Sequence, residues 1–121
     1  MKKEPTNQHM FLVRGGSCNQ ELSPEKMQAK MTEVYAWIDG LTKQGVLTAA
    51  QPLAPEGKVV SGGNSITVSD GISAESKEAV GGFFILDVPT MDEAVNIART
   101  CPMLKYGGQL EVRRIAELKS E

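Results

Sequence analysis

The chain has 121 residues, 40% hydrophobic and 23% charged, with 13 Lys and Arg against 15 Asp and Glu for a net charge of -2. That composition excludes a disordered protein and fits one domain with a real core. The slight acidity supplies no basic face for nucleic acid, and no apolar run approaches the ~20 residues that cross a bilayer.

The opening stretch, MKKEPTNQHMF, carries two lysines with no apolar segment behind them, so it does not read as a secretory signal. The expected location is cytoplasmic, and residues 1–8 are expected to be disordered. His9 to Arg14, HMFLVR, is a short apolar run stopped by Gly15-Gly16 and reads as the first strand. Ser23-Pro24 then opens a helix, with Ser as cap and Pro at the first helical position. Glu25 suits its positive first turn. Met27, Met31, Val34, Ile38 and Leu41 form one apolar stripe, bordered by Tyr35 and Trp37. Lys43 and Gly45 end the helix. Gly40 inside it has no reason visible in the sequence.

Val46 to Ala50 reads as the second strand, broken by the proline-containing stretch from Gln51 to Gly57. Lys58–Ser61 and Ser65–Ser69 pair as a small hairpin across Gly62-Gly63-Asn64. Alternation of Ile66 and Val68 with polar residues predicts one packed face and one wet face. Gly81 to Val88 is apolar apart from Asp87 and reads as a central strand buried on both faces. The paired glycines ahead of it predict a bulge rather than a ligand lying on the sheet. Thr90-Met91-Asp92-Glu93 is a capping box for a second helix with Met91, Ala94, Val95 and Ala98 inward, ended by Cys101-Pro102. Gln109 to Ile115 alternates as the last strand, and residues 116–121 form a charged tail. The order β-α-β-(hairpin)-β-α-β predicts a single α+β domain of ferredoxin-like topology over residues 1–121, with both helices on one face of the sheet.

The central strand then poses a question of cover. Phe83, Phe84, Ile85 and Leu86 point alternately to both faces, and two helices shield only one. A homodimer is the expected solution, its interface using either Phe83/Ile85 or Phe84/Leu86 together with residues of the last strand.

Cys18 and Cys101 belong to no CxxC or Cys/His cluster and are expected as reduced thiols. With His9 the only histidine, neither a metal nor another cofactor is expected. His9 itself reads as a surface or packed residue, and the methionines as gap-filling core residues.

At the level of motifs the chain resembles the YciI-related proteins of the DGPF type, a dimeric α/β-barrel superfamily. The resemblance is carried by FLVRGG, LSPEKMQAKM, VYAWIDGL, GVLTAAQPLAP, SKEAVGGFFIL, DEAVNIA and CPMLKYGGQLEVRRI. It runs from about His9 to Ile115 and implies a homodimeric barrel of unsettled activity. The DGPF tetrad stands here as Asp70-Gly71-Ile72-Ser73, and Met103 replaces a histidine common in such proteins. The helix-1 histidine of more distant catalytic relatives has no counterpart, so any catalysis is uncertain.

Five residues are candidate ligand contacts. Arg14, leaving an apolar strand beside two glycines, suits a carboxylate or phosphate, or else an edge salt bridge. Asp70 is the weak catalytic candidate, a carboxylate that would act as base or bind a cation if it points into a cleft; otherwise it is a turn residue. Lys77 would neutralise an anionic ligand and Glu78 orient it, unless both belong to a solvated segment. Tyr106, before Gly107-Gly108, is a pocket lip or an ordinary turn residue. The expected function is binding of a small, anionic molecule in a cleft by the Asp70–Glu78 loop. The alternative is a non-enzymatic regulatory or protein-interaction module in sigma-factor-linked signalling, as the resemblance suggests.

Overall fold

The computed structural model describes residues 8–14, 23–54, 56–71 and 80–116. The strands are β1 (His9–Arg14), β2 (Leu47–Pro52), β3 (Lys58–Ser61), β4 (Thr67–Asp70), β5 (Val80–Leu86) and β6 (Gln109–Arg114). The helices are α1 (Pro24–Lys43) and α2 (Met91–Ala98), and Pro102–Tyr106 is a short 3-10 helix. Four strands form one sheet in the order β2-β5-β1-β6, while β3 and β4 form a separate two-stranded sheet. Every hydrogen-bonded neighbour pair in the main sheet is antiparallel. This is the expected ferredoxin-like α+β arrangement, with the hairpin inserted between its two β-α-β halves.

Strand register settles which side chains face the helices. Phe11 lies opposite Phe84 on one side and Val112 on the other, and Phe84 lies opposite Ala50. Phe11, Phe84 and Leu86 are buried with Leu41, Val88, Ala94 and Ala98 in one core. Trp37 meets the Phe84 ring edge-on, centroids 5.3 Å apart and planes at 86°, and its Nε1 donates to Thr100 Oγ1 at 2.8 Å. Burying a side chain such as Leu86 stabilises by roughly 1.5–3 kcal/mol. By alternation Met10, Leu12, Phe83 and Ile85 point to the opposite face, where all four are only half-buried. Phe83/Ile85 is therefore the set that faces away from the helices.

The helix caps are as the sequence predicts. Ser23 Oγ accepts from the Lys26 amide at 3.1 Å, and Thr90 Oγ1 accepts from the Glu93 amide at 3.1 Å. Gly45 turns the chain at φ 77°, a left-handed value that glycine adopts freely. Along α1, Val34 and Leu41 are buried and Met31 and Ile38 half-buried, but Met27 is exposed. The stripe is thus engaged only from its second turn onward. Met91 is also exposed, so Met27 and Met91 are not core fillers. Ile97, absent from the expected inner face of α2, packs against the core. A Cβ at Gly40 would meet nothing within 4 Å, and nothing in the structure explains that glycine.

Some expectations need correction. The second strand starts at Leu47 and runs through Gln51 to Pro52. It is an edge strand, so Pro52 at its end need not donate into the sheet. The central strand spans Val80–Leu86 rather than Gly81–Val88, although the Asp87 amide still donates to the Val46 carbonyl at 2.7 Å. The bulge is present: Val13 lies opposite Gly82 and Arg14 opposite Val80, leaving Gly81 extra. Gly82 has a packing reason too, since a Cβ there would sit 2.9 Å from the Gln51 carbonyl oxygen.

The largest correction concerns the hairpin. Its predicted packed face is not packed: Val60 is 66%, Val68 63% and Ile66 71% exposed. Every residue of β3 and β4 is exposed.

Candidate functional site

The strand directions bring the C-terminal ends of β1 and β2 together with the N-terminal ends of β5 and β6. Arg14 lies opposite Val80 and Gln109, and Pro52 lies opposite Gly82. The hairpin leaves from this end of the sheet through Leu53, whose amide donates to the Gly81 carbonyl at 2.9 Å.

Arg14 stands at the end of β1 on the face away from the helices. Its Nε donates to Glu111 Oε1 at 2.7 Å, with the two side chains 29% and 36% exposed. Glu111 lies opposite Leu12, so it shares that face, and its other oxygen is 3.5 Å from Arg113 Nη1. The guanidinium is thus held in one orientation by a charge-assisted bond.

Tyr106 ends the 3-10 helix on the side of α1. Its hydroxyl donates to Glu33 Oε2 at 3.4 Å, a long bond. The Lys30 and Lys105 ammonium groups stand 6.0 Å and 5.8 Å from its ring centroid, at the limit of cation–π reach. Lys105 Nζ lies 2.9 Å from Glu33 Oε1. The hydrogen bond to Glu33, aided by its charge, raises the Lys105 pKa above the ordinary lysine value. Nearby in sequence, burial pushes the Cys101 thiol pKa up, against smaller opposing effects from the Met103 backbone and Lys30. A buried thiol kept protonated is a poor nucleophile.

Asp70 is the last residue of β4. Its carboxylate accepts from Lys58 Nζ at 2.7 Å, and its side chain is 90% exposed. It closes the foot of the hairpin, where the Gly71 amide donates to the Gly57 carbonyl at 3.1 Å. Lys77 and Glu78 lie outside the described residues, as do Cys18 and the loop after Arg14.

Arg14 and Tyr106 therefore belong to one end of the sheet but to opposite faces of it, while Asp70 belongs to a separate sheet. Glu111 and Glu33, the carboxylates that engage Arg14 and Tyr106, were not among the expected site residues. Both partners are distant in the chain, and no local spacing signals such a pair. His9 is fully buried, its Nδ1 3.1 Å from the Val88 carbonyl oxygen, which agrees with a packed histidine. Its Nε2 has no hydrogen-bond partner. Among the described residues no group of three or more His, Cys, Asp or Glu is placed to hold a metal ion. No helix there is long and apolar enough to cross a membrane.

The fold defines a ferredoxin-like α+β domain. A family model for the YCII-related domain matches residues 9–119, and the chain belongs to that family. Among solved structures it is similar to 5-chloro-2-hydroxyhydroquinone dehydrochlorinase (TftG) from Burkholderia phenoliruptrix AC1100, determined in complex with 2,5-dihydroxybenzoquinone. That likeness is 16% identity over 89% of this chain and 92% of the other, with a TM-score of 0.47. No curated protein matches the chain.

Proposed function

We propose that this chain is a cytoplasmic, homodimeric binding protein for a small anionic molecule, with Arg14 as the anchor. One observation supports the reading above others. Arg14 is a half-buried cation, oriented by Glu111, at the end of the sheet where β1, β5 and β6 meet. Lys77 and Glu78 precede Val80 by a few residues in sequence and are the proposed additional contacts. Tyr106 is the proposed lip on the helix side. The reading assigns no catalytic step to Asp70, whose carboxylate is exposed and paired with Lys58.

A thermal-shift panel of small carboxylates and phosphate monoesters tests it, run on the wild type and on Arg14→Gln. Bound ligand at a hundredfold excess over its Kd adds about 2.7 kcal/mol of stability. At least one anion is expected to raise the wild-type midpoint and to lose that effect in Arg14→Gln. A panel without effect on the wild type, or an effect that survives the substitution, overturns the reading.

A further inference from the structure

The hairpin β3–β4 is built as if it had something to pack on, yet its apolar face lies open to solvent. Val60 lies opposite Val68 in its register, and Lys58 opposite Asp70. Alternation puts these four, with Ile66, on one face. The three apolar side chains are each more than three-fifths exposed. Val59 alone among the apolar residues of the two strands points the other way, beside Ser61, Thr67 and Ser69. An isolated two-stranded hairpin is marginally stable in water, and an exposed apolar strand pair invites association.

We propose that this hairpin is an arm that clasps a second copy of the same chain, through its Val60, Ile66 and Val68 face. The inference rests on the homodimer in the functional reading above and adds the element that completes it.

Area argues for a second copy. Four strands ~4.8 Å apart and ~3.4 Å per residue give the sheet face away from the helices a footprint on the order of 400 Å². A stable interface takes about 800 Å² from each partner, so face-to-face packing of the sheets falls short by roughly half. An arm about 10 Å wide and 13 Å long adds on the order of 130 Å² by the same spacings. Two-fold symmetry counts that gain twice, because each subunit gives one arm and receives one.

Chemistry points the same way. Among the described residues two apolar surfaces face away from the core, the exposed arm and the half-buried Met10, Leu12, Phe83, Ile85 face. The arm's charges cancel within the Lys58–Asp70 pair, so its approach to an identical subunit meets no like-charge repulsion from that pair. The arm also leaves the chain at the Arg14 end of the sheet, through Leu53 and Gly81.

Mass and affinity by sedimentation equilibrium test this on four full-length proteins: wild type, Val60→Glu/Val68→Glu, Val60→Ser/Val68→Ser and Ile85→Glu. The wild type is expected to be dimeric. Both double variants are expected to weaken the dimer at least tenfold, with unchanged far-UV circular dichroism, because the replaced side chains touch no core. The serine pair keeps the test valid if the glutamates disturb the hairpin. If the serine pair dimerises with wild-type affinity, the arm proposal falls. If Ile85→Glu alone becomes monomeric, the arm falls while the sheet-face dimer of the functional reading stands. A monomeric wild type overturns both, and an arm that instead holds an unrelated protein is then the remaining reading. The thermal-shift comparison of wild type with Arg14→Gln is read separately, so loss of the dimer and loss of anion binding are told apart.

Discussion

The main sheet and the hairpin are both antiparallel β-structure from one chain, and both carry branched apolar residues, yet they differ in every aspect of burial. In β5 the residues Phe84 and Leu86 are 4% and 0% exposed. In β3 and β4 the equivalent inward candidates, Val60 and Val68, remain open to solvent. The difference lies in neighbours. β5 is flanked by β1 and β2 and roofed by helices, whereas among the described residues β3 and β4 pair only with each other. Alternation tells which side chains share a face, but a face is buried only if something else in the molecule arrives to cover it.

The contrast can be broken by substitution in an Ile85→Glu background, the variant expected under the proposed dimer to hold the chain apart from other copies. Phe84→Ala is expected to cost about 3–5 kcal/mol in chemical denaturation, through lost burial and the cavity beneath Trp37. A loss under ~1 kcal/mol would mean that the core does not rest on β5. Gly82→Ala comes next, at about 1–3 kcal/mol, because its new methyl collides with the backbone of Gln51. Unchanged stability would show that β2 can move away from β5 without cost. Thr90→Ala sharpens the comparison on the helical roof, with a loss of roughly 1 kcal/mol from the missing cap on α2. An unaltered melting temperature would place the start of that helix elsewhere. Val68→Ala in the same background should stay within ~0.5 kcal/mol, as exposed positions do. A larger loss would reveal that the hairpin is packed within its own subunit.

Much of the fold was legible because its signals are local. The Ser23 and Thr90 caps, the stripe on α1, and the glycine bulge before Phe83 each depend on residues a few positions apart. Register across the sheet was not legible. Whether Phe83 or Phe84 faces the helices depends on their pairing with Leu12 and Phe11, far away in sequence. The site was read less fully for the same reason. Arg14 stands out as a cation ending an apolar strand, but Glu111, which orients it, comes from the other end of the chain. Tyr106 carries no hint of Glu33 on α1. The hairpin's exposure was misread because Ile66 and Val68 alternate as a half-buried strand does, and the pattern is silent about whether a cover exists.

The sheet order also dictates when the protein can fold during synthesis. β1 and β2 never pair with each other; β5 is inserted between them, and β6 closes the far side of β1. Until the ribosome has released residues through Leu86, both early strands lack every partner they will have. The nascent chain before that point can complete only α1 and the hairpin, whose hydrogen bonds are local. The main sheet must then assemble by threading β5 into place, with long loops to close before any ladder forms, a topology that slows folding. The apolar strand His9–Arg14 thus waits unpaired until β5 has been made, an interval in which the new chain is exposed to aggregation.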